Sequence, residues 1–125
     1  MAKTALVTGA SSGIGREIAR DLSARGFRVI LSARREERLR ELAEELGDNT
    51  RVIVCDVSDR EECLRLYEET KREKISVLVN CAGFGAVGSF DELPLDNELK
   101  MIDTNVTAVH MLTKLFLKDF VAADR

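Results

Sequence analysis

Thr8-Gly9-Ala10-Ser11-Ser12-Gly13-Ile14-Gly15 is the stretch that decides how this chain is read. Before it lies an apolar run, Lys3 to Thr8 (KTALVT), which reads as a strand. After it, apolar residues recur at Ile14, Ile18 and Leu22, so 13–25 reads as a helix. Gly26 then stops that helix where a left-handed cap is least costly. A bend between a strand and a helix turns free backbone N–H groups and the positive end of the helix dipole toward any anion seated there. Gly9 allows the sharp exit from the strand. Gly13 removes a side chain where backbone must approach a pyrophosphate. Gly15 permits close helix–strand packing, and Ser11 and Ser12 add hydroxyl donors. A generic glycine-rich turn has the same composition. The position after a first strand and before a first helix is what favours a phosphate site over that reading.

Outward from the bend, apolar runs alternate with amphipathic segments. Arg28 to Ser32 (RVILS), Arg51 to Cys55 (RVIVC) and Ile75 to Asn80 (ISVLVN) read as further strands. Glu36 to Leu46 carries Leu39, Leu42, Ala43 and Leu46 on one helical face, and Gly47 ends it. Ser58-x-x-Glu61 resembles a capping box opening a helix to about Glu73. A loop with Gly83, Gly85 and Gly88 follows, then Pro94 in a first helical turn and one apolar helix from Leu95 to Phe120. The strands are continuously apolar, so both sheet faces should be covered. Strand, helix, strand, repeated, means right-handed crossovers and a parallel sheet. The expected fold is therefore α/β, three layers around a parallel sheet of about four strands.

Composition narrows the function. The 125 residues suit one domain, 1–125, with no repeat or linker. Apolar residues are 45% and charged residues 33%, a globular balance. With 22 acidic against 19 basic residues, the net charge of −3 argues against nucleic-acid binding. The longest apolar runs, such as Val52 to Cys55, are far short of the ~18 residues of a membrane span. Met1-Ala2-Lys3 leads into no secretory segment. Cys55, Cys63 and Cys81 are odd in number and show no C-x-x-C spacing. With a single histidine, no metal site is expected, and reduced thiols suit a cytoplasmic protein.

The glycine spacing differs from the common G-x-G-x-x-G dinucleotide fingerprint, and no Lys follows the last glycine as in a nucleoside-triphosphatase loop. It resembles the T-G-x-x-x-G-x-G signature of the short-chain dehydrogenase/reductase family. Further matches follow in the family's order along the whole chain. Asp56 stands after strand three, Asn80-Cys81-Ala82-Gly83 is similar to N-N-A-G with Cys81 for the second Asn, and Asn105 lies in a T-N-V context. The resemblance implies a Rossmann-type sheet of order 3-2-1-4, incomplete relative to the family. It also implies hydride transfer between a nicotinamide and a small carbonyl or alcohol compound. On this reading Gly9, Ser11, Ser12, Gly13, Ile14 and Gly15 hold the cofactor's phosphates. Asp56, with the Val57 backbone, contacts the adenine, unless Asp56 is a plain helix N-cap. Asn80, Ala82 and Gly83 line the nicotinamide ribose, and Asn80 can also tie neighbouring strands. Asn105 is the family's catalytic Asn, a member of the proton relay, or else an exposed helix Asn. Asp103 to Thr107 are weak helix formers, so a local break freeing a backbone carbonyl is expected there. Phe84 and Phe90 wall the active-site mouth or are ordinary packing.

Strand two selects the nucleotide. An acid about 20 residues beyond the glycine loop would bond the ribose hydroxyls of NAD. The strand ends instead in Ser32-Ala33-Arg34-Arg35. A guanidinium holds a 2′-phosphate with two parallel charge-assisted bonds, so NADP(H) is the expected cofactor, bound by Arg34 and Arg35. The competing reading has both begin a solvated charged helix, as Arg38 and Arg40 do.

The family's Ser, and its Tyr with a Lys four residues later, would fall some tens of residues past Asn105, beyond Arg125. Tyr67-Glu68-Glu69-Thr70-Lys71 spells the same Tyr/Lys spacing, but on a crossover helix that puts Lys71 toward the end away from the cofactor. Tyr67 thus reads as packing and Lys71 as solvated. The expectation is the cofactor-binding half of a longer reductase, inactive alone, against a natural short nucleotide-binding or interaction module. Self-association is expected, through helix 95–120 or the edge of strand four.

Overall fold

The computed structural model describes residues 2–124, so Met1 and Arg125, the ends of the expected 1–125 unit, lie outside the described residues. Four strands, β1 (Thr4–Thr8), β2 (Arg28–Ala33), β3 (Thr50–Val54) and β4 (Ile75–Asn80), alternate with α1 (Gly13–Ala24), α2 (Glu36–Leu46) and α3 (Arg60–Thr70). All pair in parallel, in the order β3-β2-β1-β4. This is the Rossmann-type arrangement expected.

Successive strand side chains point to opposite faces, and the two faces are covered by different helices. Leu6, Ile30 and Ile53 pack with Leu66, Leu112 and Phe116 on one side. Val7, Val29 and Leu31 pack with Ala19, Leu39 and Leu42 on the other. Each such buried side chain contributes about 1.5–3 kcal/mol relative to exposure. β1 is buried along its whole length, whereas β4 is mostly half-buried despite its apolar run. Its position at the end of the strand order explains the difference, because β4 has a strand neighbour on one side only.

Two helical segments depart from the sequence reading. Ser58 does not cap α3. Its hydroxyl donates to the Asp56 carboxylate at 2.7 Å, and Asp59 caps instead, accepting from the Glu61 N–H at 2.9 Å. α3 ends at Thr70, and a 3-10 turn, Lys71–Glu73, completes the predicted span. The apolar segment from Leu95 is not one helix but α4 (Leu95–Ile102), a π turn (Asp103–Thr107) and α5 (Ala108–Ala123). Pro94 stands at the cap just ahead of α4 rather than within its first turn. The expected break falls on the five weak helix formers, where the Ala108 N–H reaches back to the Asp103 carbonyl.

Candidate cofactor site

The carboxyl ends of β1, β2 and β4 lie level, with Thr8 in register with both Ser32 and Asn80. The bend therefore opens at the edge of the sheet where ligands bind in open α/β proteins. Gly9 sits at φ +63, and a Cβ there would stand 2.5 Å from the Cys81 carbonyl. Gly15 would place a Cβ 2.3 Å from the Gly9 oxygen. Its bare backbone thus serves helix–bend contact rather than the helix–strand contact expected. Gly13, at φ +58, would meet nothing within 4 Å, so the space beside it is open. Thr8 locks the bend to the loop after β4. Its hydroxyl donates to the Val79 carbonyl at 3.3 Å and accepts from the Cys81 and Ala82 N–H groups at 3.2 and 3.3 Å. Thr8 was not among the sequence candidates. The strand-tying role considered for Asn80 falls to it, while the Asn80 amide donates to the Thr113 hydroxyl of α5 at 3.2 Å.

A cavity of about 570 Å³ lies over these strand ends, inside the range of small-molecule sites, about 300–1,000 Å³. Gly9, Ser11, Ser12, Gly13, Ile14, Gly15, Arg34, Arg35, Asp56, Val57, Asn80, Ala82 and Gly83 all line it. Sequence reasoning missed Ser32, Ala33, Cys55, Cys81 and Thr104 in the same wall. Each lies within two residues of a candidate in sequence, which was the available signal. Phe84 joins the wall, while Phe90 is 84% exposed. Asn105 grips the loop. Its Oδ1 accepts from the Phe84 N–H at 3.0 Å and its Nδ2 donates to the Phe84 carbonyl at 2.8 Å. A Cβ on Gly83 would come within 2.9 Å of that Oδ1, so a side chain there would push the Asn105 amide out of its present position. Asn105 is exposed, as in the alternative reading, but its amide is bonded at both ends.

The electrostatics are uneven around the rim. Arg34 and Arg35 are exposed, and among the described residues neither guanidinium makes a hydrogen bond or ion pair, while the Arg35 carbonyl accepts from the Leu39 N–H at 3.2 Å. Asp56 Oδ1 accepts from the Ser58 N–H at 3.0 Å and from its hydroxyl, while Oδ2 lies 3.8 Å from Lys100 Nζ. Partial burial pushes the Asp56 carboxyl up. The two Ser58 bonds, then the Lys100 and Arg34 charges, outweigh burial and hold it below its ordinary value. Asp56 is thus the anchor of a local turn, not the N-cap of α3. Burial raises the Cys55 thiol to about 12 and the Cys63 thiol to about 11, and it also raises Cys81. All three stay thiols at neutral pH, and no group of metal-ligating side chains occurs among the described residues. Tyr67 donates to Asp119 at 2.7 Å, and that bond raises its phenol to about 12. Lys71 pairs with Glu68 at 2.6 Å. Tyr67 is thus engaged on α3, and Lys71 is paired in the 3-10 turn that follows it.

A parallel sheet in this order, with a glycine bend opening into a cavity at its carboxyl edge, defines a dinucleotide-binding protein of the Rossmann type. The family model for short chain dehydrogenases matches residues 3–125, and the chain belongs to that family of oxidoreductases, which bind nicotinamide cofactors. It is 41% identical over 110 residues to an uncharacterized oxidoreductase of Staphylococcus saprophyticus, covering 83% of this chain and 47% of that protein. It is 37% identical over 119 residues to the 3-oxoacyl-(acyl-carrier-protein) reductase FabG of Rickettsia prowazekii, covering 95% of this chain and 48% of that one. A metagenomic short-chain oxidoreductase solved in complex with NADP superposes with a TM-score of 0.92 at 33% identity, over 98% of this chain and 58% of the other. The chain thus spans about half the length of the curated relatives it matches. No helix among the described residues is long and apolar enough to cross a membrane.

Proposed function

We propose that this chain forms the cofactor-binding half of a cytoplasmic NADP(H)-dependent oxidoreductase acting on a small carbonyl or alcohol compound. The observation that carries the reading is the cavity rim. Two guanidiniums without partners among the described residues, Arg34 and Arg35, stand where strand two of an NAD-binding site would carry an acid. The bare Gly13 and the amino end of α1 are suited to the diphosphate, helped by the Ser11 and Ser12 hydroxyls. Asp56 keeps Oδ2 outside its turn, 3.8 Å from Lys100 Nζ and able to accept from the adenine amine as well, with the Val57 backbone beside it. Asn80, Ala82 and Gly83 take the nicotinamide ribose side. When bound, the nicotinamide supplies or takes up a hydride. Asn105 holds the loop that faces it and sits within the π turn, which suits the backbone-carbonyl relay role of the family's catalytic Asn. The only tyrosine is engaged with Asp119, so this reading assigns proton transfer to a Tyr/Lys pair elsewhere in a longer protein.

Calorimetry tests it. NADPH should bind the chain at least tenfold more tightly than NADH. Arg34→Gln should lose about tenfold for NADPH and leave NADH unchanged. Equal affinity for the two coenzymes would overturn the assignment. The 125-residue chain should bind NADPH without reducing ketones; turnover by it would contradict the division of labour proposed.

A further inference from the structure

Two buried side-chain polar atoms lack a partner among the described residues, Arg16 Nε and Ser32 Oγ, and of these only Ser32 lines the cavity. Ser32 is 1% exposed. It lies at the carboxyl end of β2, in register with Thr8 on β1 and Ile53 on β3. The Thr8 hydroxyl is already committed to Val79, Cys81 and Ala82, and Ile53 offers no polar atom. Its strand mates Val29, Ile30 and Leu31 are fully buried and apolar. A hydroxyl at such a position costs stability unless something bonds to it. The pleat sends Ser32 to the same face as Ile30 and Ile53, the face that continues into Cys55 and Val57. That is the wall beside Asp56, two residues before Arg34 in the chain.

We infer that the Ser32 hydroxyl is a further cofactor ligand, held unpaired to hydrogen-bond the adenosine portion of the dinucleotide. The inference rests on the nucleotide reading above. It makes Ser32 the inner polar contact of a moiety whose outer phosphate meets Arg34. The wild-type chain and Ser32→Ala are to be titrated with NADPH, adenosine 2′,5′-bisphosphate and nicotinamide mononucleotide, and melted without ligand. Ser32→Ala should weaken NADPH and the bisphosphate alike by about tenfold and leave the mononucleotide unchanged. The unliganded thermal midpoint should stay level or rise, because an unpaired buried hydroxyl has been removed. Ser32→Cys, which keeps the volume and leaves only a weak donor, should show the same selective loss. Undiminished affinity in the variants, with wild type binding normally, overturns the role of Ser32 and leaves the nucleotide reading standing. A lowered unliganded midpoint in both variants also overturns it, since the hydroxyl would then serve the protein itself. A wild-type chain that binds neither NADPH nor the bisphosphate overturns the nucleotide reading as well.

Discussion

Gly13 and Gly15 stand two residues apart yet face opposite constraints. Gly15 lacks room, since a Cβ would lie 2.3 Å from the Gly9 carbonyl. Gly13 has room, but its φ of +58 disfavours an L side chain. Gly13→Ala should therefore fold with a penalty of about 1 kcal/mol and lose most NADPH affinity, because its methyl group projects where the diphosphate is placed. Gly15→Ala should lose roughly 1–3 kcal/mol or more from overpacking against backbone. Urea unfolding and calorimetry on the two variants separate the effects. Full NADPH affinity in Gly13→Ala would remove the diphosphate from that position. Asp56 carries a pH signature. Its carboxyl is held below the ordinary 3.8 in the folded state. Its contribution to stability is thus complete above that ordinary value and is lost as pH falls through the lower, folded one. Asp56→Asn should flatten the acid limb of stability from about pH 5 downward. Urea midpoints measured along an acid series check this; an unchanged limb would place the acid sensitivity elsewhere.

At the scale of elements, most boundaries could be read from periodicity. The glycines at φ +91 and +99, Gly26 and Gly47, end α1 and α2 where the sequence places the stops. Two features could not be read in the same way. Ser58 and Asp59 are comparable caps, and the choice between them was made by Asp56, which draws the Ser58 hydroxyl away. The π turn was foreshadowed by the weak helix formers, but its grip on Phe84, 21 residues away, was not. α3 docks on α5 through Tyr67, whose ring meets Phe116 edge-on at 5.1 Å and whose hydroxyl bonds Asp119. Tyr67→Phe should cost about 1 kcal/mol of stability and leave NADPH affinity unchanged. A thermal melt and one titration suffice, and a loss of affinity would return Tyr67 to the candidate site residues.

For the molecule as a whole, the exposed apolar side chains concentrate on one stretch. Leu95, Leu99, Ile102 and Val106 are 65%, 49%, 51% and 60% exposed along α4 and the π turn, and Leu117 and Val121 are 52% and 73% exposed on α5. On the same helix, Leu112 and Phe116 are instead buried in the core. An apolar surface of this kind favours association. Light scattering at tens of micromolar should show species larger than a monomer, and Leu99→Lys with Ile102→Lys should shift them toward it. A double variant that associates as before would point to the open edge of β4. A wild-type monomer at that concentration would end the prediction.

What the chain alone determined was whatever depends on neighbours in sequence. Apolar spacing set the strands and helices, the glycine bend set a junction whose left-handed backbone at Gly9 and Gly13 favours glycine, and Arg34-Arg35 in place of an acid set the expected nucleotide. These are local properties, so they are written locally. What only the tertiary structure decided was which distant groups meet. Thr8 holds a loop more than 70 residues away, Asn105 is spent on Phe84, and the Ser32 hydroxyl is buried in the cavity wall without a protein partner among the described residues. A hydroxyl or amide bonds whatever the packed chain brings within about 3 Å of it, and that distance is fixed by the assembled sheet, not by sequence spacing.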